Sequence, residues 1–201
     1  MNEAQDAKKA LYNHGVIAFP TETVMGLGVL FNDREAYEKL NSIKRRPEDK
    51  PYTLMVKGVE DIQKYAVIDE GTHRVIKRFM PGSITILVPV KENAVPSYVT
   101  HGTGVIGIRV PENIEALTVL KECDLPLLVP SANRSGESPA LNAKEVKEIF
   151  GDEVDYVVSG EAKLAKPSTI VSLIDGVVKV VREGPISEQN IKETYLGVKN
   201  F

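Results

Sequence analysis

The segment 125–136, Leu-Pro-Leu-Leu-Val-Pro-Ser-Ala-Asn-Arg-Ser-Gly, leads an apolar run directly into a polar loop. Leu125 to Val129 is short and apolar enough for a buried strand. Pro130 to Gly136 is rich in residues that form turns. Open α/β sheets usually bind their ligands at the carboxyl ends of strands. The segment therefore predicts a sheet strand whose end carries either a ligand-binding loop or a simple turn.

On both sides of this segment, short apolar runs alternate with amphipathic helical stretches, which is typical of an α/β fold. The other predicted strands cover residues 16–19, 27–31, 53–56, 84–90, 105–110, 154–158, 169–174 and 177–181. Predicted helices begin at Asn32 or Asp33 and end at Pro47, cover 59–66, 72–79, 114–123 and 142–150, and begin again at Ser187. Asp175-Gly176 is a hairpin turn signal. For 201 residues we expect a single domain, 1–201.

The composition is that of a soluble globular protein, with 42% hydrophobic and 26% charged residues. No segment approaches the ~20 apolar residues of a membrane span, and the charged N-terminus lacks the apolar core of a secretory signal, so we expect a cytoplasmic protein. Cys123 is the single cysteine, which excludes an internal disulfide and argues against a cysteine-based zinc site. A net charge of −3 gives no general attraction to nucleic acid, so an anion site requires local clustering of cations.

Several common catalytic motifs are missing from the sequence. His14, His73 and His101 have no paired spacing, so we expect no metal site built from protein side chains and no Ser-His-Asp arrangement. A P-loop motif is absent, and Gly26-Leu27-Gly28 does not continue into a dinucleotide-binding fingerprint. The remaining cations and hydroxyls favour electrostatic handling of phosphate without a protein nucleophile.

A basic cluster follows the helix that begins near Asp33. Lys44, Arg45, Arg46 and Lys50 place four cations within seven positions. One interpretation is a polyphosphate site. The other is a set of solvated cations that complement the negative end of the helix dipole.

Arg109 lies on a predicted strand and shares a face with Gly107, while Ile106, Ile108 and Val110 take the opposite face. The missing side chain at Gly107 leaves room for a ligand beside the guanidinium. A guanidinium on an apolar strand needs a partner, which is either a substrate carboxylate or phosphate, or an internal Asp or Glu. The sequence leaves both partners open.

Ser131 and Asn133 follow the strand of the opening segment and suit phosphate or ribose oxygens, but also a turn or a helix cap. Ser168-Thr169 at the start of a strand and Arg182-Glu183-Gly184 at the end of one have the same two interpretations. Each of these motifs is weak alone.

Together, and in this order, the motifs resemble the YrdC-like (TsaC) family over roughly residues 9–187. They are Pro20-Thr21-Glu22-Thr23-Val24-Met25-Gly26-Leu27-Gly28, Lys44-x-Arg46-Pro47, Ser131-Ala132-Asn133-x-Ser135-Gly136, Pro167-Ser168-Thr169-Ile170-Val171 and Arg182-x-Gly184. The resemblance implies a twisted open sheet of parallel and antiparallel strands, flanked by helices, with a large concave cavity. It implies a nucleotidyltransferase that makes threonylcarbamoyl-AMP and pyrophosphate from L-threonine, bicarbonate and ATP with Mg²⁺. That product would serve tRNA threonylcarbamoyl-transfer proteins, with possible tRNA contact.

The resemblance also implies roles for individual residues. Lys44 and Arg46 would be catalytic. Nucleotide contacts would come from Lys44, Arg46, Lys50, Ser131, Asn133, Pro139 and Arg182, and threonine contacts from Thr23, Arg109 and Ser168. Met25 stands where relatives often have tyrosine, and Met55 where some have histidine, so the threonine side departs from the common pattern. Two rivals remain: an RNA-binding module, and a paralogous enzyme with another acceptor.

Overall fold

The computed structural model describes residues 2–45 and 51–198. Its strands are β1 (Ile17–Phe19), β2 (Gly26–Leu30), β3 (Thr53–Met55), β4 (Ile84–Pro89), β5 (Val105–Arg109), β6 (Leu127–Leu128), β7 (Tyr156–Val157), β8 (Thr169–Ile174) and β9 (Val177–Arg182). Its helices are α1 (Glu3–Tyr12), α2 (Arg34–Lys44), α3 (Ile62–Tyr65), α4 (Glu70–Phe79), α5 (Ser97–Thr100), α6 (Ile114–Cys123), α7 (Ala143–Phe150) and α8 (Glu188–Leu196), and short 3₁₀ turns cover Val59–Asp61 and Gly151–Glu153. This alternation confirms the predicted α/β class.

The strands of the described residues form one sheet in the order β7-β1-β2-β6-β3-β5-β4-β8-β9. Three neighbouring pairs, β1–β7, β3–β5 and β4–β8, are parallel. The remaining neighbours are antiparallel. The sheet is therefore mixed, as predicted, and it is open because its outer strands β7 and β9 do not pair with each other.

Local sequence signals explain several element boundaries. The side chains of Asp33, Asn142 and Ser187 accept hydrogen bonds from backbone N–H groups in the first turns of α2, α7 and α8, so these predicted helix starts are confirmed. Asp175 and Gly176 both have positive φ, at 52° and 74°, as a tight hairpin between β8 and β9 requires.

Other boundaries differ from the prediction. Helix α2 ends at Lys44 rather than at Pro47, because Arg45 adopts the left-handed conformation with φ at 51° and its N–H bonds back to α2 carbonyls. Strand β6 is shorter than the apolar run 125–129. Helix α1 was not predicted, although Ala4, Ala7 and Leu11 have helical spacing and are buried.

Helices cover the two faces of the sheet unequally. On one face, α1 and α6 pack on β1, β2 and β6 in a cluster that includes Leu11, Phe19, Leu120 and Leu127. On the other face, a larger cluster joins the sheet to α2, α4, α7 and α8. The part of the first face formed by β3, β5, β4, β8 and β9 lies beyond α1 and α6. That part of the sheet carries the candidate site.

Candidate anion-binding cleft

A cleft of about 140 Å³ lies over this part of the sheet. It brings together five side chains that the sequence singled out, namely Thr23, Arg109, Ser131, Ser168 and Arg182. They come from the loop after β1, from β5, from the loop after β6, and from β8 and β9 or their ends. The volume is below the roughly 300–1,000 Å³ typical of small-molecule pockets, so the large cavity stays a prediction. Arg46 and Lys50 lie outside the described residues.

Arg109 is held in the cleft by protein oxygens. It lies opposite Met55 of β3 in the parallel ladder. Its Nε donates to the Gly82 carbonyl at 3.2 Å, and its Nη2 donates to Thr23 Oγ1 at 3.0 Å and to the Glu22 carboxylate. The internal ion pair, one of the two partners that the sequence left open, is therefore present.

Glu22, which completes this ion pair, was missed by sequence reasoning. Its second oxygen accepts a hydrogen bond from the Glu112 backbone N–H at 3.0 Å, and only 6% of the residue is exposed. The available signal was its position in the polar break between the first two apolar runs. A carboxylate enclosed by buried strands requires a cation, and Arg109 is the cation that strand alternation turns toward it.

Arg182 forms the second cationic group of the cleft. Its Nε and Nη2 donate to the Ser168 carbonyl at 3.1 and 2.9 Å, and Nη2 also donates to Ser168 Oγ at 3.1 Å. The pKa of Arg182 is lowered mainly by partial desolvation and to a smaller extent by repulsion from Arg109. Among residues 2–45 and 51–198, no carboxylate lies within 4.0 Å of its guanidinium. This arrangement favours an anionic ligand.

Thr85 extends the polar chain from Arg182 across the floor of the cleft. Its hydroxyl lies 3.0 Å from Ser168 Oγ. Sequence reasoning missed Thr85 because it lies within an apolar strand, yet alternation alone separates it from the buried Ile84 and Ile86.

The Lys44 side chain connects α2 to the loop after β6. Its ammonium donates to the Ser131 carbonyl at 2.6 Å, to the Asn133 carbonyl at 2.8 Å and to Asn133 Oδ1 at 3.1 Å. Only 1% of Lys44 is exposed, so the interpretation as a solvated helix-end cation is wrong for this residue. Asn133 Nδ2 donates to the carbonyls of Arg134 and Glu137, so Asn133 also has the turn-stabilising role that the sequence allowed.

The remaining positions named in the sequence analysis are Pro139, Met25 and Met55. Pro139 lies in the loop before α7 and is not among the residues that line the cleft. Met25 and Met55 do line it and give it an apolar wall. The described part of the chain contains no cluster of three or more His, Cys, Asp or Glu side chains suited to a metal ion. It also contains no helix with the length and apolar character needed to cross a membrane.

An open mixed sheet with two guanidinium groups and several hydroxyls in one cleft defines an α/β protein equipped to bind a small anionic ligand. Four of the ordered motifs quoted above contribute residues that line the cleft, whereas Lys44 of the Lys44-x-Arg46-Pro47 motif is not among the lining residues. The chain belongs to the Sua5, YciO and YrdC family, whose model, described as "Telomere recombination", matches residues 9–184.

Relatives and solved structures agree with this membership. The chain is 32% identical over 195 residues to a threonylcarbamoyl-AMP synthase of Bacillus subtilis, covering 95% of this chain and 56% of that protein. It is 32% identical to a putative threonylcarbamoyl-AMP synthase of Methanocaldococcus jannaschii, covering 92% of this chain and 86% of that protein. Sua5 of P. abyssi complexed with L-threonine superposes with a TM-score of 0.90 at 29% identity, covering 95% of this chain and 56% of that one. The chain spans about half the length of the first curated relatives that it matches.

Proposed function

We propose that this chain is a nucleotidyltransferase that forms threonylcarbamoyl-AMP and pyrophosphate from L-threonine, bicarbonate and ATP. The observation that carries the proposal is the cleft in which Arg109, Arg182, Ser131 and Ser168 converge. Relatives that bear the name of this activity cover most of the chain. A related structure with bound L-threonine has the same fold.

The threonine side is proposed to lie at Arg109, Thr23 and Ser168. Nε and Nη2 of Arg109 bind protein oxygens, whereas Nη1 makes no hydrogen bond within the described residues. A carboxylate that approaches Nη1 gains a charge-assisted hydrogen bond without displacing Glu22. Hydroxyls of Thr23 and Ser168 are in the same cleft and suit the threonine hydroxyl.

The nucleotide side is proposed to use Lys44, Ser131, Asn133 and Arg182, together with Arg46, Lys50 and Pro139 as implied by the resemblance. Arg182 has only neutral partners among the described residues and therefore gains most from a phosphate. The Lys44 ammonium is already held by the 131–133 loop, so its positive charge has a fixed place near Ser131.

The reaction proposed for this site has two steps. The threonine amine attacks bicarbonate and releases water, which gives a carbamate. A carbamate oxygen then bonds to the α-phosphorus of ATP as the bond to pyrophosphate breaks, and the cations of Lys44 and Arg46 stabilise the developing charge. Mg²⁺ enters with ATP as part of the substrate, since the described residues offer no carboxylate cluster of their own for it.

The wider setting is also part of the proposal. The product carries an activated threonylcarbamoyl group, and a further reaction must transfer this group to an acceptor molecule. We propose that this acceptor is tRNA, reached through partner proteins that transfer the group in the cytoplasm.

Pyrophosphate release tests the proposed function. Purified protein with MgATP, threonine and bicarbonate should release pyrophosphate, and omission of either threonine or bicarbonate should abolish the release. Lys44→Ala and Arg46→Ala should each remove most of the activity, whereas Lys144→Ala, at an exposed position on α7, should leave it unchanged. Pyrophosphate release that persists without threonine would contradict threonine as the substrate.

A second comparison separates the two sides of the cleft. Arg109→Lys keeps a positive charge toward Glu22 but loses the planar fork. We expect the threonine KM to rise about tenfold with little change in the ATP KM. Arg182→Gln should show the reverse pattern. Equal effects on both substrates in either variant would contradict the assignment of sides.

A further inference from the structure

The end of α2 and the loop 131–137 are joined by more than the Lys44 ammonium. The Ser135 backbone N–H donates to the Lys44 carbonyl at 2.9 Å. Helix α2 therefore meets the loop through both the backbone and the side chain of Lys44. The position of the Lys44 ammonium depends on how firmly these two segments are held together.

Arg134 lies at the centre of this junction. Its Nη1 donates to the carbonyl of Ile43, which precedes Lys44 in α2, and to Glu153 Oε2 at 3.0 Å. Its Nη2 donates to the Ile149 carbonyl in α7 at 3.3 Å and to the other Glu153 oxygen. The guanidinium carbon also lies 4.8 Å from the centre of the Phe150 ring. One side chain thus connects the loop to the C-terminal ends of two helices.

These contacts stabilise the junction because they satisfy carbonyl groups at helix termini. The last carbonyls of a helix have no partner within the helix and attract cations. A guanidinium can satisfy several oxygens at once because its five donors have a fixed planar geometry. Only 12% of the Arg134 side chain is exposed, whereas Glu153 is half exposed. Glu153 therefore orients the guanidinium from the solvent side while the carbonyls of Ile43 and Ile149 receive its inner donors.

We propose that Arg134 and Glu153 are positioning residues that hold the end of α2 against loop 131–137 and so fix the Lys44 ammonium beside the cleft. The inference deepens the proposed function and rests on it only for the kinetic consequence. Neither residue is among those that line the cleft, so they act through Lys44 rather than by touching substrate.

The first test measures the position of Lys44 without requiring catalysis. The intact protein is treated briefly with an amine-acetylating reagent, and modification at each lysine is quantified by mass spectrometry. Arg134→Gln and Glu153→Gln should raise modification at Lys44 by about fivefold through easier local opening. Lys9, which is already exposed, should not change. Unchanged protection of Lys44 in both variants overturns the inference.

The matched control uses Arg34 and Glu38, an exposed ion pair on the same helix α2. Arg34→Gln and Glu38→Gln remove the same charges as the test variants but leave the junction intact. Neither should alter the modification of Lys44. An equal rise in the controls would show that any loss of charge on α2 loosens it, which would overturn the specific role of Arg134.

The second test is the kinetic pattern of the same variants. Arg134→Gln and Glu153→Gln should raise the ATP KM or lower kcat severalfold while the threonine KM stays unchanged, measured on protein shown by circular dichroism to be folded. Glu153→Asp should recover part of the loss. A lower melting temperature with unchanged kinetics would identify a purely structural role and overturn the proposal. If the two variants show increased Lys44 modification but the wild-type protein shows no threonine-dependent pyrophosphate release, the positioning role stands and the proposed function is rejected.

Discussion

Replacing Glu22 with glutamine should lower the free energy of unfolding by about 2–3 kcal/mol. Both Glu22 oxygens accept hydrogen bonds, one from Arg109 and the other from the Glu112 N–H. Glutamine has a single oxygen, so one of these donors would face an NH₂ group, which costs about 1–3 kcal/mol. Losing one partner of a buried ion pair costs about 3–5 kcal/mol, and we expect a value at or just below the lower end of this range because Arg109 borders the open cleft.

Urea unfolding followed by far-UV circular dichroism measures this difference. For a chain of this size, the expected loss corresponds to a fall of about 5–10 °C in Tm. Glu148→Gln is the matched control, because Glu148 pairs with Lys144 on an exposed face of α7 and should leave stability unchanged. A loss at Glu22 below about 1 kcal/mol, or equal to the control, would refute the conclusion that the two acceptor bonds and the charge stabilise the fold.

Three further predictions concern residues outside the cleft. Gly176→Ala should lower the free energy of unfolding in urea by ~1 kcal/mol, because φ is 74° and an added side chain meets no other atoms, which leaves backbone conformation as the cause. Gly176→Asn should cost less, because asparagine tolerates positive φ better than alanine. Equal losses in the two variants would contradict a conformational cause. The hydrogen bond to Asp69 raises the pKa of Tyr195 to about 12, so the stability that this phenol contributes is complete below pH 10 and is lost as pH rises toward 12. Tyr195→Phe should therefore flatten the alkaline decline in the free energy of unfolding. An unchanged decline would contradict the role of this hydrogen bond. Burial raises the pKa of Cys123 to about 11, so iodoacetamide at pH 8 should modify it only after addition of denaturant, and rapid modification of the native protein would show that the thiol is accessible.

The sequence predicted most elements because their signals are local. Apolar runs of four to seven residues, the caps at Asp33, Asn142 and Ser187, and the Asp175-Gly176 turn each act within a few residues. Helix α1 was missed although its signals are local, whereas the end of α2 has a nonlocal contribution besides the left-handed Arg45. At the end of α2, Arg134 and Ser135 donate hydrogen bonds to the carbonyls of Ile43 and Lys44, which lie 91 positions earlier in the chain.

The candidate site divides in the same way. Residue type and strand position made Arg109, Ser131, Ser168 and Arg182 candidates, because a polar group at a strand end is visible without neighbours, and the family resemblance added Thr23. Their partners were not visible, since Glu22 reaches Arg109 across 87 positions and Lys44 reaches Asn133 across 89. The sequence by itself therefore determined the α/β class and the groups able to bind an anion. Only the tertiary structure decided which cations are neutralised by a carboxylate, as Arg109 is, and which bind neutral oxygens, as Arg182 does, because the energy of a charge depends on the groups that folding places around it.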